Sequence, residues 1–302
     1  MDEATSKTIS TTTSTTMPPT SSAAVSRRLW QRLEVVHTVV YFSPIVADAQ
    51  ARVGLEPGLM SYAAARVGPM GAVGPETTAA TFYGFSPTAL AAVLPAAWEW
   101  ASPEEAVLAT REAVGRTLAP LFEGLDAEVA RAAELVREVA ALQPVAGRPL
   151  GAARRSVPWP DEPHLVLWEA ATRIRETRGD GHVACLVAAD VGGIESHLIR
   201  RGDGDKLRRI LSPLRGWTDP EWDAAVRGLQ NRGWLDADGR PTSDGAEVLR
   251  DVEARTDAIA AGPWTAFGEA RTDRLEQALA PLVGRLVDSG LLPGVVTRLV
   301  TA

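Results

Sequence analysis

The C-terminal half carries a series of local signals that few folds accommodate. A predicted helix begins at Thr218, whose side chain can cap it, and ends at Gly233. A short apolar stretch, 234–235, follows, and then Asp238-Gly239, a dipeptide typical of tight hairpin turns. Another cap, Thr242 or the serine after it, begins a second long helix. Helix, short hairpin and helix in this order predict a winged-helix unit.

Helix signals continue through the rest of the chain. Four apolar residues recur at spacings of four and three, the period of one helix face: Leu29, Leu33, Val36 and Val40. Ser86 and Ser102 each precede a proline, and a capping serine followed by proline is typical of helix starts. A helix that begins near His164 is predicted to end at the Gly-Asp-Gly run 179–181. The sequence therefore predicts a mostly α fold with two helical domains, of winged-helix or helix-turn-helix type, and a short β-hairpin wing in the C-terminal half.

Composition shifts divide the chain into four predicted parts. Residues 1–26 are rich in Ser and Thr and are expected to form a disordered tail. Residues 144–163 are rich in Pro, Gly and Arg, which is typical of a linker. The tail and the linker bound an N-terminal helical domain, 27–143, and a C-terminal winged-helix-like domain, 164–302.

The sequence also predicts where the protein resides. No apolar run reaches the roughly 20 residues that a membrane-spanning helix needs. The Ser/Thr/Pro-rich N-terminus lacks the hydrophobic stretch of an export signal. Cys185 is the only cysteine, so an internal disulfide is impossible. We therefore expect a cytoplasmic protein that has no membrane partner.

The charge of the predicted winged helix argues against DNA as a partner. The chain carries a net charge of −7, and the interval 218–256 holds nine acids and five bases. DNA-binding proteins present Lys and Arg to the phosphates, and carboxylates placed there repel them. Three of the nine acids crowd the first turn of the helix after Thr218, and in a second interpretation these three only cap the helix N-terminus, where the helix dipole favours them. Both interpretations argue against direct DNA readout.

Several short motifs resemble one family of helix-turn-helix proteins. They occupy 37–44, 66–71, 82–87, 181–184 and 215–219. Together they are similar to the SalK-like proteins of actinobacteria, and the glycine, apolar and Asp-Gly pattern of the wing resembles MarR-type regulators. The resemblance covers roughly 29–267. It implies helix-turn-helix architecture in both halves, and it brings no established activity and no catalytic residue.

A histidine and a tyrosine lie one helical turn apart before the Ser43-Pro44 break. His37 and Tyr41 share a helix face at this spacing, and Phe42 follows them. They are candidates for lining a ligand pocket, in which His37 is a general base or a haem or metal ligand. The alternative is a core histidine whose ring nitrogens bond to the backbone or to Tyr41.

An arginine and three aromatic side chains follow within the interval 66–85. Arg66 precedes a glycine- and proline-rich loop, 68–75, that fits no phosphate-binding motif. Its guanidinium is predicted either to pair with an anionic ligand or to form an internal salt bridge. Three rings, Phe82, Tyr83 and Phe85, surround one glycine. Such a group lines an apolar binding cavity or packs between domains.

Metal and nucleophile signatures are missing from the sequence. His182, Glu195 and His197 carry metal-ligand side chains, but their spacing matches no zinc or di-iron motif. No Gly-x-Ser-x-Gly nucleophile elbow occurs. We therefore expect no metal and no cofactor, and no catalytic residue is identified. The ligand-binding candidates are His37, Tyr41, Phe42, Arg66, Phe82, Tyr83, Phe85 and His182.

Three functions remain open from the sequence. The first, which the charge favours, is a small-molecule-binding or accessory protein on a degenerate winged-helix scaffold that does not read DNA directly. The second is a MarR-like transcriptional regulator that binds DNA as a homodimer and senses a small molecule. The third is an unconventional tailoring enzyme that uses His37 with a haem or metal.

Overall fold

The computed structural model describes residues 22–301. Residues 1–21 of the predicted tail lie outside this described part, and 22–26 form the first turns of a helix. Among the helices of 22–301, none combines the length and the apolar composition that crossing a bilayer requires.

The helices of the N-terminal half follow one another through short connections. They are α1 (Ser22–Phe42), α2 (Pro44–Arg52), α3 (Leu59–Val67), a 3-10 turn (Gly68–Met70), α4 (Pro75–Phe82), α5 (Pro87–Trp100), α6 (Pro103–Leu121), α7 (Asp126–Ala141) and α8 (Pro149–Arg155). The predicted cap at Ser102 is confirmed, because its hydroxyl accepts a hydrogen bond from the Glu105 amide at 3.2 Å. Ser86 also precedes the first residue of α5, as predicted, although its side chain makes no capping bond.

The C-terminal half begins with the longest helix. Its elements are α9 (Pro163–Ala188), α10 (Glu195–Arg201), α11 (Asp205–Arg215), α12 (Asp219–Asn231), α13 (Ser243–Ile259), α14 (Gly262–Phe267), α15 (Glu269–Asp288) and α16 (Gly294–Thr301). The predicted end of α9 at 179–181 is wrong. A Cβ on Gly181 would lie 2.9 Å from Ile259 Cδ1, and Asp180 accepts a hydrogen bond from the Gly151 amide at 2.9 Å. Gly181 therefore allows close helix packing and does not terminate the helix.

The predicted β-hairpin wing is also wrong. Within the described residues the structure is all-helical, and 233–242 contains a single antiparallel bridge between Leu235 and Pro241. The Asp236 carboxylate accepts hydrogen bonds from the amides of Asp238 and Arg240, so the turn closes immediately. Pro241 has no N–H to donate to a ladder. The tight turn is therefore present, but it joins one bridge and not two strands.

Apolar cores hold the helices together. The largest takes side chains from α1, α2, α6, α7, α9 and the last three helices, so both predicted domains contribute to it. A second core lies beneath α10 to α13 and contains Trp222 and Leu229 of α12. Smaller clusters lie among α3, α5 and their neighbours. The division of the chain at 144–163 stays a prediction, and α8 within that interval packs against α9.

The central helix, α9, is buried on almost every side. Five of its buried residues are charged: Glu169, Arg173, Glu176, Arg178 and Asp180. A charge in the interior is tolerated when it is paired and hydrogen-bonded. The partners of these residues come from elements that surround α9 and from α9 itself, and one such group forms the candidate site.

Candidate functional site

Two helices, α11 and α12, are joined by the short turn 216–218, which is the order expected of a helix-turn-helix, and we refer to them as the helix-turn-helix unit. Gly216 adopts a left-handed conformation with φ of 73°, and a Cβ there would lie 2.0 Å from Ala89 Cβ of α5. The turn therefore needs glycine both for its backbone shape and for its approach to α5. Trp222 of α12 is fully buried in the second core, and Leu207 and Leu211 of α11 pack against the same core.

The exposed start of α12 is acidic. Asp219 and Asp223 have side chains that are 77% and 47% exposed. Glu221 closes a capping box with Thr218. Arg208 of α11 donates to Asp223 at 2.7 Å, so this arginine is already neutralised by an acid of the second helix. In a helix-turn-helix that reads DNA, this end of the second helix faces the bases.

A histidine and a tyrosine form the buried end of a second polar group. His37 is 2% exposed, and its Nε2 lies 2.9 Å from the Tyr41 hydroxyl. Its Nδ1 lies 3.0 Å from the Thr172 hydroxyl. Burial lowers the pKa of His37 well below its usual value, and the charge of Arg175 lowers it further. The imidazole is thus neutral, and a metal or haem iron could bind it only after one of these bonds breaks.

Arg66 is held by a buried carboxylate. Its Nε and Nη2 donate to the two Glu176 oxygens at 2.9 and 2.8 Å, a bidentate pair. Its Nη1 donates to the Tyr62 hydroxyl at 2.9 Å, and its Cζ lies 4.4 Å from the Phe82 ring centroid. Burial raises the pKa of Glu176, but the charges of Arg66 and Arg175 outweigh it and hold that pKa well below its usual range. Of the two interpretations of Arg66, the structure thus contains the internal salt bridge.

Aromatic rings connect these polar groups in a continuous series. The ring centroids of Tyr41 and Tyr62 are 5.1 Å apart, and those of Tyr62 and Phe85 are 5.2 Å apart. Phe82 lies 5.6 Å from Tyr62 and 5.2 Å from Phe85. These separations are typical of favourable ring contacts. The series runs from His37 on α1 to Phe85, which lies just before α5.

Arg215 brings α11 to the far end of this series. Its Cζ lies 4.1 Å from the Phe85 centroid, and its backbone carbonyl accepts a hydrogen bond from the Ser86 amide at 2.8 Å. Its Nε is buried and has no hydrogen-bond partner among the described residues, and the guanidinium forms no ion pair with them. Burial raises the pKa of Tyr62, but the charges of Arg66, Arg215 and Arg175 outweigh burial and lower it below the usual tyrosine value.

We refer to these residues as the junction cluster, because they join the N-terminal helices to α9 and to the helix-turn-helix unit. Its members are His37, Tyr41, Tyr62, Arg66, Phe82, Phe85, Arg175, Glu176 and Arg215. Of the sequence candidates, the structure brings His37, Tyr41, Arg66, Phe82 and Phe85 together here.

The other three sequence candidates lie apart from this cluster. Phe42 is 41% exposed at the end of α1. Tyr83 donates its hydroxyl proton to the Val191 carbonyl at 2.6 Å and packs against the second core. His182 bonds through Nδ1 to the Thr256 hydroxyl at 3.0 Å, and burial lowers its pKa to about 4. Tyr83 and His182 therefore form hydrogen bonds with residues that do not belong to the junction cluster. Phe42 faces solvent.

Four members of the cluster were missed from sequence. Tyr62 lies one turn before Arg66 on α3, a spacing that a helix-face comparison would have revealed. Arg175 and Glu176 are hidden among many charges of α9. Arg215 belongs to the motif 215–219, which marks a family resemblance and carries no chemical signature of its own.

Two further features bear on ligands. An open groove of about 490 Å³ lies between α7 and the start of α9, and it shares no lining residue with the junction cluster. Within 22–301, no three His, Cys, Asp or Glu side chains are grouped in a way that could hold a metal ion.

Comparison with known proteins identifies the family. Searches among curated proteins and among solved structures gave no match. The family described as "Helix-turn-helix family" matches residues 26–293, which is most of the chain. The finer resemblance to SalK-like and MarR-like proteins stays a prediction. The chain belongs to this helix-turn-helix family.

Proposed function

We propose that this helix-turn-helix protein binds a small molecule at the junction cluster, and that its helix-turn-helix unit acts as a scaffold and not as a direct reader of DNA sequence. The observation that carries the proposal is the position of Arg215. This residue lies on the first helix of the helix-turn-helix unit and presents its guanidinium to Phe85 of the other half of the protein. A ligand bound there would contact both halves.

The composition of the cluster supports this proposal. Binding sites for small molecules combine aromatic walls with a few polar groups that fix orientation. The junction cluster offers the rings of Tyr62 and Phe85 beside Arg215, a cation whose polar atoms are incompletely used. His37 and Arg66 are committed to internal bonds, so we assign them a supporting role.

Entry of a ligand requires only a small local opening in this proposal. The loop 83–86 meets the helix-turn-helix unit and its neighbour α10 through three hydrogen bonds at Gly84 and Ser86. The Gly84 carbonyl accepts from Trp217 at 3.0 Å and lies 3.2 Å from His197 Nε2. The Tyr83 hydroxyl adds a fourth hydrogen bond, to the Val191 carbonyl, and an opening confined to so short a segment is a local one.

The experiment is a binding assay with neutral aromatic probes. Benzyl alcohol and indole are added to the full chain, and thermal unfolding and saturation-transfer NMR are measured. We expect both probes to raise the melting temperature, because a ligand that binds only the folded state stabilises it. Phe85→Ala should weaken binding, whereas Phe122→Ala, which removes a buried ring from the largest core, should leave it unchanged. Binding that is absent, or equal in all variants, contradicts the proposal.

A second candidate is binding to the phosphate backbone of DNA, and the exposed bases of the unit favour it. Lys206 and Arg209 of α11 and Arg227 of α12 lie at or near the surface. Membership in a helix-turn-helix family is also consistent with DNA binding. Fluorescence anisotropy with a random 30-base-pair duplex at low salt would test it. Affinity that falls steeply with salt and drops in Lys206→Gln and Arg209→Gln would support backbone binding, and a flat titration would exclude it.

A further inference from the structure

Three unpartnered polar atoms lie at one end of the junction cluster. Ser86 Oγ, Ser212 Oγ and Arg215 Nε are buried and have no hydrogen-bond partner among the described residues. The Ser86 amide donates to the Arg215 carbonyl, which joins the two segments. Ser212 precedes Arg215 by three residues on α11, so both lie on the same side of that helix. A buried donor without an acceptor destabilises the folded state, and such groups are rare in proteins. Three of them at one end of a cluster therefore indicate a place where a ligand could supply acceptors.

The cations of the cluster outnumber its carboxylates. Arg66 and Arg175 share Glu176, and Arg175 Nε also lies 3.6 Å from a Glu34 oxygen. Arg215 has no ion-pair partner within the described chain. The surplus is therefore one positive charge, and it lies at the end of the cluster that reaches the helix-turn-helix unit.

We propose that Arg215, Ser86 and Ser212 bind the carboxylate of an aromatic acid whose ring packs against Phe85. This inference rests on the proposed function and adds the chemical class of the ligand. A guanidinium and two hydroxyls supply several donors and no competing acid, which is what a carboxylate requires. The Arg215 guanidinium covers one face of Phe85 at 4.1 Å, so the ligand ring packs on that face only after the guanidinium turns from it to the carboxylate.

This arrangement also links ligand binding to the fold. Ser86 lies at the start of α5, whereas Ser212 and Arg215 lie on α11. A carboxylate held by all three would cross-link the loop 83–86 to the helix-turn-helix unit. A neutral aromatic molecule could fill the same space without forming this link.

The experiment compares two probes that differ in the anionic group. Benzoate and benzyl alcohol are titrated into the full chain at constant ionic strength by isothermal titration calorimetry. We expect benzoate to bind about tenfold tighter or more, because hydrogen bonds to charged groups are the strong ones. In Arg215→Gln this preference should vanish, with benzyl alcohol affinity retained. Arg209→Gln, which removes the same charge from an exposed site on the same helix, should keep the full preference.

Further variants and one more probe separate the outcomes. Arg215→Lys retains the charge, and the double variant Ser86→Ala with Ser212→Ala retains the arginine; each should give an intermediate preference with an unchanged circular dichroism spectrum. If wild type binds benzyl alcohol but prefers benzoate by less than twofold, the aromatic acid is wrong and the proposed function stands. If neither probe binds, the aromatic acid and the proposed function are both wrong. Inorganic phosphate that binds through Arg215 while benzoate does not would show an anion site without ring recognition and overturn the aromatic acid.

Discussion

Two buried glutamates on α9 are each held by two arginines, yet their surroundings differ. Glu169 is fully buried and accepts from Arg154 at 2.6 Å and from Arg173 at 2.9 Å. Glu176, two turns further along, accepts from Arg66 at 2.8 Å and from Arg175 at 3.0 Å. The same residue types at the same helix therefore form two comparable centres.

The difference lies in what the arginines do with their remaining donors and faces. Around Glu169, Arg173 also donates to the Val157 carbonyl and lies 3.7 Å from the Trp159 centroid. Arg154 lies over Trp168. The centre at Glu176 continues through Tyr62 to Arg215, which lacks such an oxygen acceptor among the described residues. A closed ion-pair network is typical of a structural role, and an open-ended one is where a ligand can add a missing contact.

The largest expected effect comes from breaking the closed centre. Glu169→Gln should lower the free energy of unfolding by about 3–5 kcal/mol, because two buried arginines lose their shared counter-charge. Urea denaturation followed by circular dichroism measures it. Glu138→Gln serves as the control: Glu138 pairs with Arg271 at the surface, and its loss should cost less than about 1 kcal/mol. Equal losses in both variants would show that the Glu169 network does not stabilise the fold.

Glu176→Gln should cost less, about 2–3 kcal/mol, because Arg175 keeps Glu34 as a partner. Glu176→Gln should also change the affinity for benzoate. Glu169→Gln should leave that affinity intact when it is measured at a low temperature at which the variant is folded. The same denaturation assay, followed by calorimetry on the folded variants, checks both. A loss as large as that of Glu169→Gln, with unchanged binding, would make the two centres equivalent.

The contact of His197 with the loop 83–86 predicts a pH effect. Burial, followed by the charge of Arg215, lowers the pKa of His197 from 6.5 to about 4. The folded state therefore binds fewer protons than the unfolded state between these values, so stability falls as pH drops through this window and is retained above 6.5. Between pH 7 and 5 this histidine should account for about 2 kcal/mol.

The measurement compares the free energy of unfolding at pH 7 and pH 5 in wild type and in His197→Gln. The variant should lose less stability on acidification. Glu34→Gln, which leaves every histidine in place, should retain the wild-type slope. Identical slopes in His197→Gln and wild type would contradict the lowered pKa.

The smallest expected effect is that of Tyr62→Phe. Removing the hydroxyl deprives Arg66 Nη1 of its acceptor and should cost about 1 kcal/mol. Tyr83→Phe removes a hydrogen bond to the Val191 carbonyl and should cost a similar amount. The pair separates stability from binding, since Tyr62→Phe should alter probe affinity more than Tyr83→Phe does. If the two variants changed probe affinity equally, Tyr62 would not belong to the binding site.

Helix starts were the most predictable part of the fold. Ser102 with Glu105 forms the capping box that its sequence indicates, and Pro44 separates α1 from α2 as the Ser-Pro pair suggests. These features depend on neighbours within four residues. The predicted wing was wrong because the Asp236 side chain closes the turn. The predicted end of α9 was wrong because Gly181 packs against Ile259, a residue distant in sequence.

The contacts of the candidate site were likewise predictable only between residues close in sequence. His37 and Tyr41 share a helix face, and their hydrogen bond follows from that spacing. The link from Arg66 to Glu176 joins residues 110 positions apart, and the contact of Arg215 with Phe85 depends on packing of α11 against the loop 83–86. Local periodicity carries no information about such distant pairs.

Hydrogen–deuterium exchange of the full chain, with and without near-saturating benzoate, tests the contrast between the two centres most directly. We expect slower amide exchange in peptides that cover the loop 83–86 and the end of α11, and no change around Glu169. Protection confined to the groove between α7 and α9, or absent from both centres, would contradict the contrast.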